Sequence, residues 1–203
     1  MDLAKLLNNL QHNHFETSYF ENKGEAAAYL NEKIDAKTVG LGDSLTLKAL
    51  GLFDLLSTHN QVVDVRHNPV RTAEGFVEHA KKSLLTQVFL LSANAVAETG
   101  EIINMDGIGN RISASLFGHE KVYYVIGINK ICPDLNQALW RVRNIAAPQN
   151  AKRHHLKTPC AAQGDRCYNC SSPERICNGL LIEYKKMNNL ETEIVIIGEK
   201  LGL

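Results

Sequence analysis

Short runs of aliphatic and β-branched residues recur along this chain, and amphipathic stretches separate them. The runs at 61–65, 88–92, 121–128 and 193–197 read as strands, and 38–46 as a strand running into a glycine turn, most of them apolar enough to be buried on both faces. A further strand is predicted at 17–21. Between the runs, leucines at 3, 6, 7 and 10 have the spacing of one helix face, and helices are expected over 23–34, 45–57, 71–84, 109–117 and 135–145. Strands that alternate with helices predict an α/β fold: a mainly parallel sheet with helices on both faces. A length of 203 residues suits one domain with a substantial core and is short for two. The pattern breaks after Ala147, so the expectation is a single α/β domain across 1–203 with a loop-rich cysteine insertion at about 151–179, after which the chain returns to the sheet through 180–185 and 193–197.

Lys and Arg total 22 and so do Asp and Glu. A chain without net charge and with few aromatics lacks the basic footprint of a nucleic-acid binder. Its apolar runs are far shorter than a bilayer span. The first residues lead into Asn8, Asn9, Gln11 and Asn13 with no apolar stretch of the signal-peptide kind. A cytoplasmic protein without membrane span or nucleic-acid partner is expected.

Four of the five cysteines fall within 18 residues, as Cys160-x6-Cys167-x2-Cys170-x6-Cys177; Cys132 stands apart. Gly164, Asp165, Asn169, Ser171, Ser172 and Pro173 lie among them, turn formers that let a chain wrap around a centre. Four thiolates that converge on one volume are what a soft metal or an iron–sulfur cluster requires. Paired disulfides, a redox dithiol at Cys167 and Cys170, and four independent thiols are the alternatives. A reducing compartment disfavours the first. The spacing is neither that of a bacterial ferredoxin nor that of a zinc ribbon. On chemistry alone, a [4Fe–4S] cluster and zinc fit equally. His154 and His155, just upstream, could add an imidazole but read more simply as part of a solvated basic turn.

Two other segments carry potential chemistry. Val39-Gly40-Leu41-Gly42-Asp43-Ser44 places two glycines and a capping hydroxyl between a strand and a helix, a turn suited to phosphate or carboxylate. It lacks the third glycine of a dinucleotide fingerprint and the lysine of a P-loop. The second segment runs from Ser92 to Arg111. Its Glu98-Thr99-Gly100-Glu101 reads as a hairpin turn before a returning strand at 102–104. Asn104, Asp106, Gly107, Gly109, Asn110 and Arg111 could orient a small anion, and Glu98 could act as base or nucleophile. Plain turn chemistry explains the same residues equally well.

Gly40-Leu41-Gly42-Asp43-Ser44, Glu98-Thr99-Gly100, Asn104-Met105-Asp106-Gly107-Ile108-Gly109-Asn110-Arg111, Val125-Ile126-Gly127-Ile128-Asn129-Lys130 and Arg143-Asn144-Ile145-Ala146-Ala147-Pro148-Gln149-Asn150 resemble the LUD domain family. Its named members are lactate utilization proteins of the LutC/YkgG type. Thr158-Pro159-Cys160, Cys167-x-x-Cys170 and Arg175-Ile176-Cys177-Asn178 resemble the tail of a cysteine-bearing subset. The resemblance implies a fold like the NagB/RpiA/CoA-transferase class, with Gly40, Gly42 and Ser44 near an anion and Glu98 as the catalytic acid. Asn94 stands where related enzymes have a carboxylate, which speaks against isomerase-like proton transfer at that position. The resemblance further implies an accessory or subunit role in the oxidation of L-lactate to pyruvate, with iron–sulfur partner proteins. That setting favours a [4Fe–4S] cluster over zinc on Cys160, Cys167, Cys170 and Cys177. A stand-alone enzyme acting on a small phosphorylated or acyl-CoA substrate, and a zinc-stabilised interaction module, are the other functions the sequence allows.

Overall fold

A computed structural model describes residues 1–67 and 72–203. Six strands form one all-parallel sheet: β1 (Glu16–Phe20), β2 (Thr38–Leu41), β3 (Gln61–Asp64), β4 (Val88–Leu91), β7 (Lys121–Gly127) and β10 (Glu191–Ile197). Their order across the sheet is β1-β10-β7-β4-β2-β3. A second sheet holds β5 (Ala95–Ala97), β6 (Ile102–Asp106), β8 (Ile131–Cys132) and β9 (Gly179–Glu183), in the order β8-β5-β6-β9. The hairpin turn expected at residues 98–101 is present, since β5 and β6 pair antiparallel with Val96 opposite Ile102.

The helices start where side chains can satisfy their free N–H groups. Asp2 caps α1 (Leu3–His12), Asn22 caps α2 (Lys23–Lys33), and Ser44 caps α3 (Leu45–Ala49). The helix expected over 45–57 is two helices, α3 and α4 (Leu52–Leu56). The chain turns at Gly51, whose φ of 66° is left-handed and suits glycine. Thr72 caps α5 (Ala73–Ser83); Arg71, the first residue of the helix expected there, lies outside the described residues. Next come α6 (Asn110–Ala114), α7 (Leu135–Arg141), α8 (Ala147–Arg153) and α9 (Pro159–Gln163). A π-helical turn at Val142–Ala146 joins α7 to α8, with the Ala147 N–H reaching back to the Val142 carbonyl. Pro148 accounts for it: proline has no N–H for the usual bond and its ring crowds the preceding turn, so the helix widens locally.

Two cores sandwich the main sheet. Val39, Leu41, Val88, Leu90, Val125, Val195 and Ile197 pack on the leucines of α2, α3 and α4. Alternate residues on the same strands point the other way, and Phe89, Leu91, Tyr124, Ile126 and Ile196 meet α1 and the inner side of the second sheet. A third, smaller core of Ala95, Ala97, Ile103, Cys132, Ala138 and Val142 joins the second sheet to α7. This layer is the main departure from expectation. The strand anticipated after the cysteine segment joins the second sheet, as β9 beside β6, and not the parallel one.

Gly40 shows how tightly the layers fit. A β-carbon there would stand 2.7 Å from the Phe89 ring and 2.8 Å from both the Ser83 carbonyl and Thr86 Oγ1. One at Gly42 would meet only ordinary contacts at 3.5 Å. Gly40 is thus a packing residue and not part of an anion loop. Gly40→Ala is expected to lower stability by about 2–3 kcal/mol through overpacking, and Gly42→Ala by less than about 0.5 kcal/mol. Urea unfolding of both variants checks the contrast.

Candidate functional site

The strand order creates a crevice. From β2 the chain goes outward to β3, whereas from its neighbour β4 it leads through the second sheet to β7 on the opposite side. Loops that part in this way leave a gap beyond the carboxyl ends of the two strands, where open α/β sheets hold their ligands. Ser44 after β2, Ser92 and Asn94 after β4, Lys130 after β7, Arg111 of α6 and Arg153 of α8 line it. A continuing lobe is walled by Asp106, Gly107, Asn110 and Arg111, with Asn150 and His154 opposite. The segments around Gly42 and Arg111 therefore meet.

Most of the charges in this crevice are committed to protein partners. Arg153 donates to the Asp43 carboxylate at 2.9 Å, and Arg66 and His154 lie 3.7 and 3.8 Å from it. Burial pushes the Asp43 carboxyl upward, but the hydrogen bond and charge of Arg153, with Arg66 and His154, outweigh it and hold the group below its ordinary value. Arg111 donates to the Met105 carbonyl at 2.9 Å and lies 3.4 Å from Asp106. Asp106 also accepts the Gly107 and Arg111 backbone N–H groups, at 2.7 and 3.1 Å. The guanidinium expected to bind an anion thus braces its own turn. Ser44 accepts the Leu47 N–H as the cap of α3, and the Gly42 N–H is taken up by the Leu90 carbonyl. Gly109 sits in left-handed conformation at the start of α6, where it allows the turn.

Two expected residues lie elsewhere. Glu98 accepts the Asp2 N–H at 2.8 Å, has Lys5 at 3.7 Å, and its carbonyl takes the Asn9 amide at 2.6 Å. It therefore anchors α1 and does not reach the crevice. The reason is directional: Asn94 lines the crevice, and β5 then carries the chain away, so the turn at Glu98 emerges at its far end. Asn104 is buried, and its oxygen accepts the Asn94 N–H at 2.9 Å while Asn94 accepts the Met105 N–H at 2.7 Å. The two asparagines clamp the hairpin reciprocally.

The residue that sequence reasoning missed is Lys130. It is 4 % exposed, and its Nζ donates to Ser92 Oγ at 2.7 Å and Thr46 Oγ1 at 3.0 Å. No salt bridge reaches it among the described residues. Burial first, then the positive charges of Arg141 and Arg111, bring its pKa down to about 7. The available signal was its position: a lysine three residues beyond an apolar central strand sits at the carboxyl edge of the sheet.

Cys160, Cys167, Cys170 and Cys177 line one cavity beside the crevice, with Arg143 and Ile176. All four are free, half-buried thiols, whereas Cys132 is buried in the third core. Three of the sulfurs already have polar neighbours at 3.3 Å: Thr158 Oγ1 at Cys160, the Asn169 N–H at Cys167 and the Arg175 guanidinium at Cys177. Among the described residues, no three His, Cys, Asp or Glu side chains are drawn close enough to hold a metal ion as they stand. The donor set nevertheless fits a thiolate-ligated group, because N–H···S contacts and nearby arginines offset the negative charge such a group carries. The cavity and the crevice are fastened together. Asn178 donates its backbone N–H to the Asp106 carbonyl and its amide to the Gly107 carbonyl, both at 3.0 Å, and Gly107 would touch Ile176 at 3.3 Å if it bore a β-carbon.

A six-stranded all-parallel sheet flanked by helices defines a Rossmann-like α/β protein. The model of the LUD domain matches residues 3–197, and the chain belongs to that family, which is associated with lactate utilization. The fold is similar to the crystal structure of a DUF162 family protein from Deinococcus radiodurans, with a TM-score of 0.58 at 13% identity over 97% of this chain and 96% of that one. No curated protein matches the chain. No helix among the described residues is long and apolar enough to cross a membrane.

Behind the crevice, the Tyr124 hydroxyl donates to Glu183, a carboxylate 1 % exposed whose pKa burial raises to about 7. An acid whose folded pKa is raised stabilises the fold fully below its unfolded value near 4.5, and that stability is lost as pH rises through 7. Glu183→Gln is expected to remove this dependence, gaining on the order of 3 kcal/mol over the native chain at pH 8 and little at pH 4. Urea titrations at the two pH values measure it.

Proposed function

We propose that this LUD-domain protein serves L-lactate oxidation to pyruvate as an accessory or subunit chain. In this reading, Cys160, Cys167, Cys170 and Cys177 hold a [4Fe–4S] cluster, and the crevice receives the small carboxylate. The observation that carries the reading is the shared cavity of the four thiols, fastened through Asn178 to the crevice wall at Asp106 and Gly107. When bound, such a cluster supplies one-electron transfer.

The chain's own residues would do the rest. Asn169 and Arg175 offer hydrogen bonds to sulfur, which stabilise a reduced, more negative centre. Ser44, Ser92 and Asn94 present neutral donors at the crevice mouth, and Lys130 adds an amine that has no carboxylate partner among the described residues. The chain carries no nicotinamide or flavin fingerprint, and iron–sulfur partner proteins are the electron acceptors this reading requires. Its polar lining suits a carboxylate better than an adenine ring, which wants an apolar slot.

Anaerobic purification is expected to yield on the order of four iron and four acid-labile sulfide per chain. Serine at any of the four cysteines should abolish both, whereas Cys132→Ser should leave them unchanged. Zinc without sulfide would replace the cluster by a structural brace. Normal growth on L-lactate of a strain lacking the chain would favour instead a free-standing enzyme on a phosphorylated or acyl-CoA substrate.

A further inference from the structure

Lys130 is held by an arrangement that a merely structural lysine does not need. Lysines are rarely buried without an acid partner, because an unpaired ammonium loses its hydration with nothing to replace it. Here the partners are two hydroxyls, Ser92 Oγ and Thr46 Oγ1. The amine stands at the crevice wall, at the end of the three-residue turn after β7. The backbone at Gly202 closes over it: a β-carbon at that glycine would stand 2.6 Å from Thr46 Oγ1 and 3.1 Å from Lys130 Nζ.

We propose that Lys130 is a nucleophilic amine that condenses with the carbonyl carbon of a small 2-oxo acid in the crevice to form an imine. This rests on the reading of the crevice as a carboxylate site and assigns its reactive group. Arg111 from α6 and Arg141 from α7 face the amine, and Asp43 and Arg153, which line the same crevice, pair with each other. Cys132, two residues on, presents its sulfur to the Lys130 carbonyl. With no carboxylate bonded to it among the described residues, the charges of two arginines acting on it and little water, the amine's pKa falls to about 7, which leaves a large neutral fraction at physiological pH.

The step balances without an oxidant. The nitrogen lone pair attacks the carbonyl carbon, the C=O π pair moves to oxygen, and a proton passes from nitrogen to that oxygen to give a carbinolamine. The nitrogen then forms a double bond to carbon as the C–O bond breaks, and the oxygen leaves with a second proton as water. Ser92 and Thr46, already hydrogen-bonded to Nζ, can relay the proton from nitrogen. Only a carbonyl compound can react: a 2-hydroxy acid has no electrophilic carbon there, so the amine distinguishes the oxidised acid from the reduced one.

The test is reductive trapping. Incubation of the anaerobically purified protein with pyruvate and sodium cyanoborohydride is expected to add one carboxyethyl group to the peptide bearing Lys130, and lactate in place of pyruvate should add none. Lys130→Met keeps the length of the side chain without an ionisable group and forms no imine, so the adduct should vanish while the melting temperature stays near that of the native chain. Saturable pyruvate binding by calorimetry with no adduct, or adducts spread over surface lysines as in unfolded protein, overturns the inference and leaves the crevice reading intact. Absence of binding by both pyruvate and lactate overturns the crevice reading and the inference together.

Discussion

Parallel pairing of six strands is the constraint on which the rest of this molecule depends. Strands buried on both faces can satisfy their N–H and carbonyl groups only within the ladder, so polar chemistry is confined to the edges where strands end. When all strands point the same way, every outgoing loop emerges on one edge. Ser44, Ser92 and Lys130 come from three adjacent strands and meet there for that reason alone. The opposed exits of β2 and β4 then open the gap between them.

The second sheet converts that gap into a walled site. Its hairpin is clamped by the reciprocal Asn94–Asn104 contacts, and these hold Asn94 at the crevice while the turn at Glu98 is tied to α1. Asp106 is the hinge pin of this wall. It gathers the Gly107 and Arg111 N–H groups and the Arg111 guanidinium, and its carbonyl takes the Asn178 N–H from the end of the cysteine segment. A carboxylate with so many donors fixes a loop more firmly than any one contact does, and it couples the thiol cavity mechanically to the crevice.

How much of this was legible from residues alone follows physical lines. The central strands declare themselves because burial on both faces demands unbroken apolar runs, as at Val88–Leu91 and over 194–197. The gathering of the four cysteines in one cavity was foreseeable because they lie within 18 residues rich in turn formers. The second sheet was not: Ala95–Ala97 and Ile131–Cys132 are too short to show any period. Glu98 misled because a carboxylate after an apolar strand resembles a sheet-edge residue, and only the path of β5 shows that the chain has already turned away. Lys130 was overlooked for the converse reason. A lysine after a strand reads as solvated, and its burial is decided by Thr46, Ser92 and Gly202, which come from three distant parts of the chain.

The charge balance of the crevice ties these observations together. Asp43 pairs with Arg153 and with Arg66, which also reaches Asp64, and Asp106 pairs with Arg111, so these cations are held by carboxylates and are not free to collapse onto an incoming acid. Lys130 remains as the group whose charge answers to the local environment instead of to a fixed partner. A bound carboxylate would supply the missing negative charge and favour the ammonium, whereas the empty crevice favours the neutral amine. Entry of a substrate and protonation of Lys130 are therefore linked in this geometry. Binding of a small acid should draw a proton from solvent near pH 7, unless the proton is kept off by covalent bond formation at the amine itself.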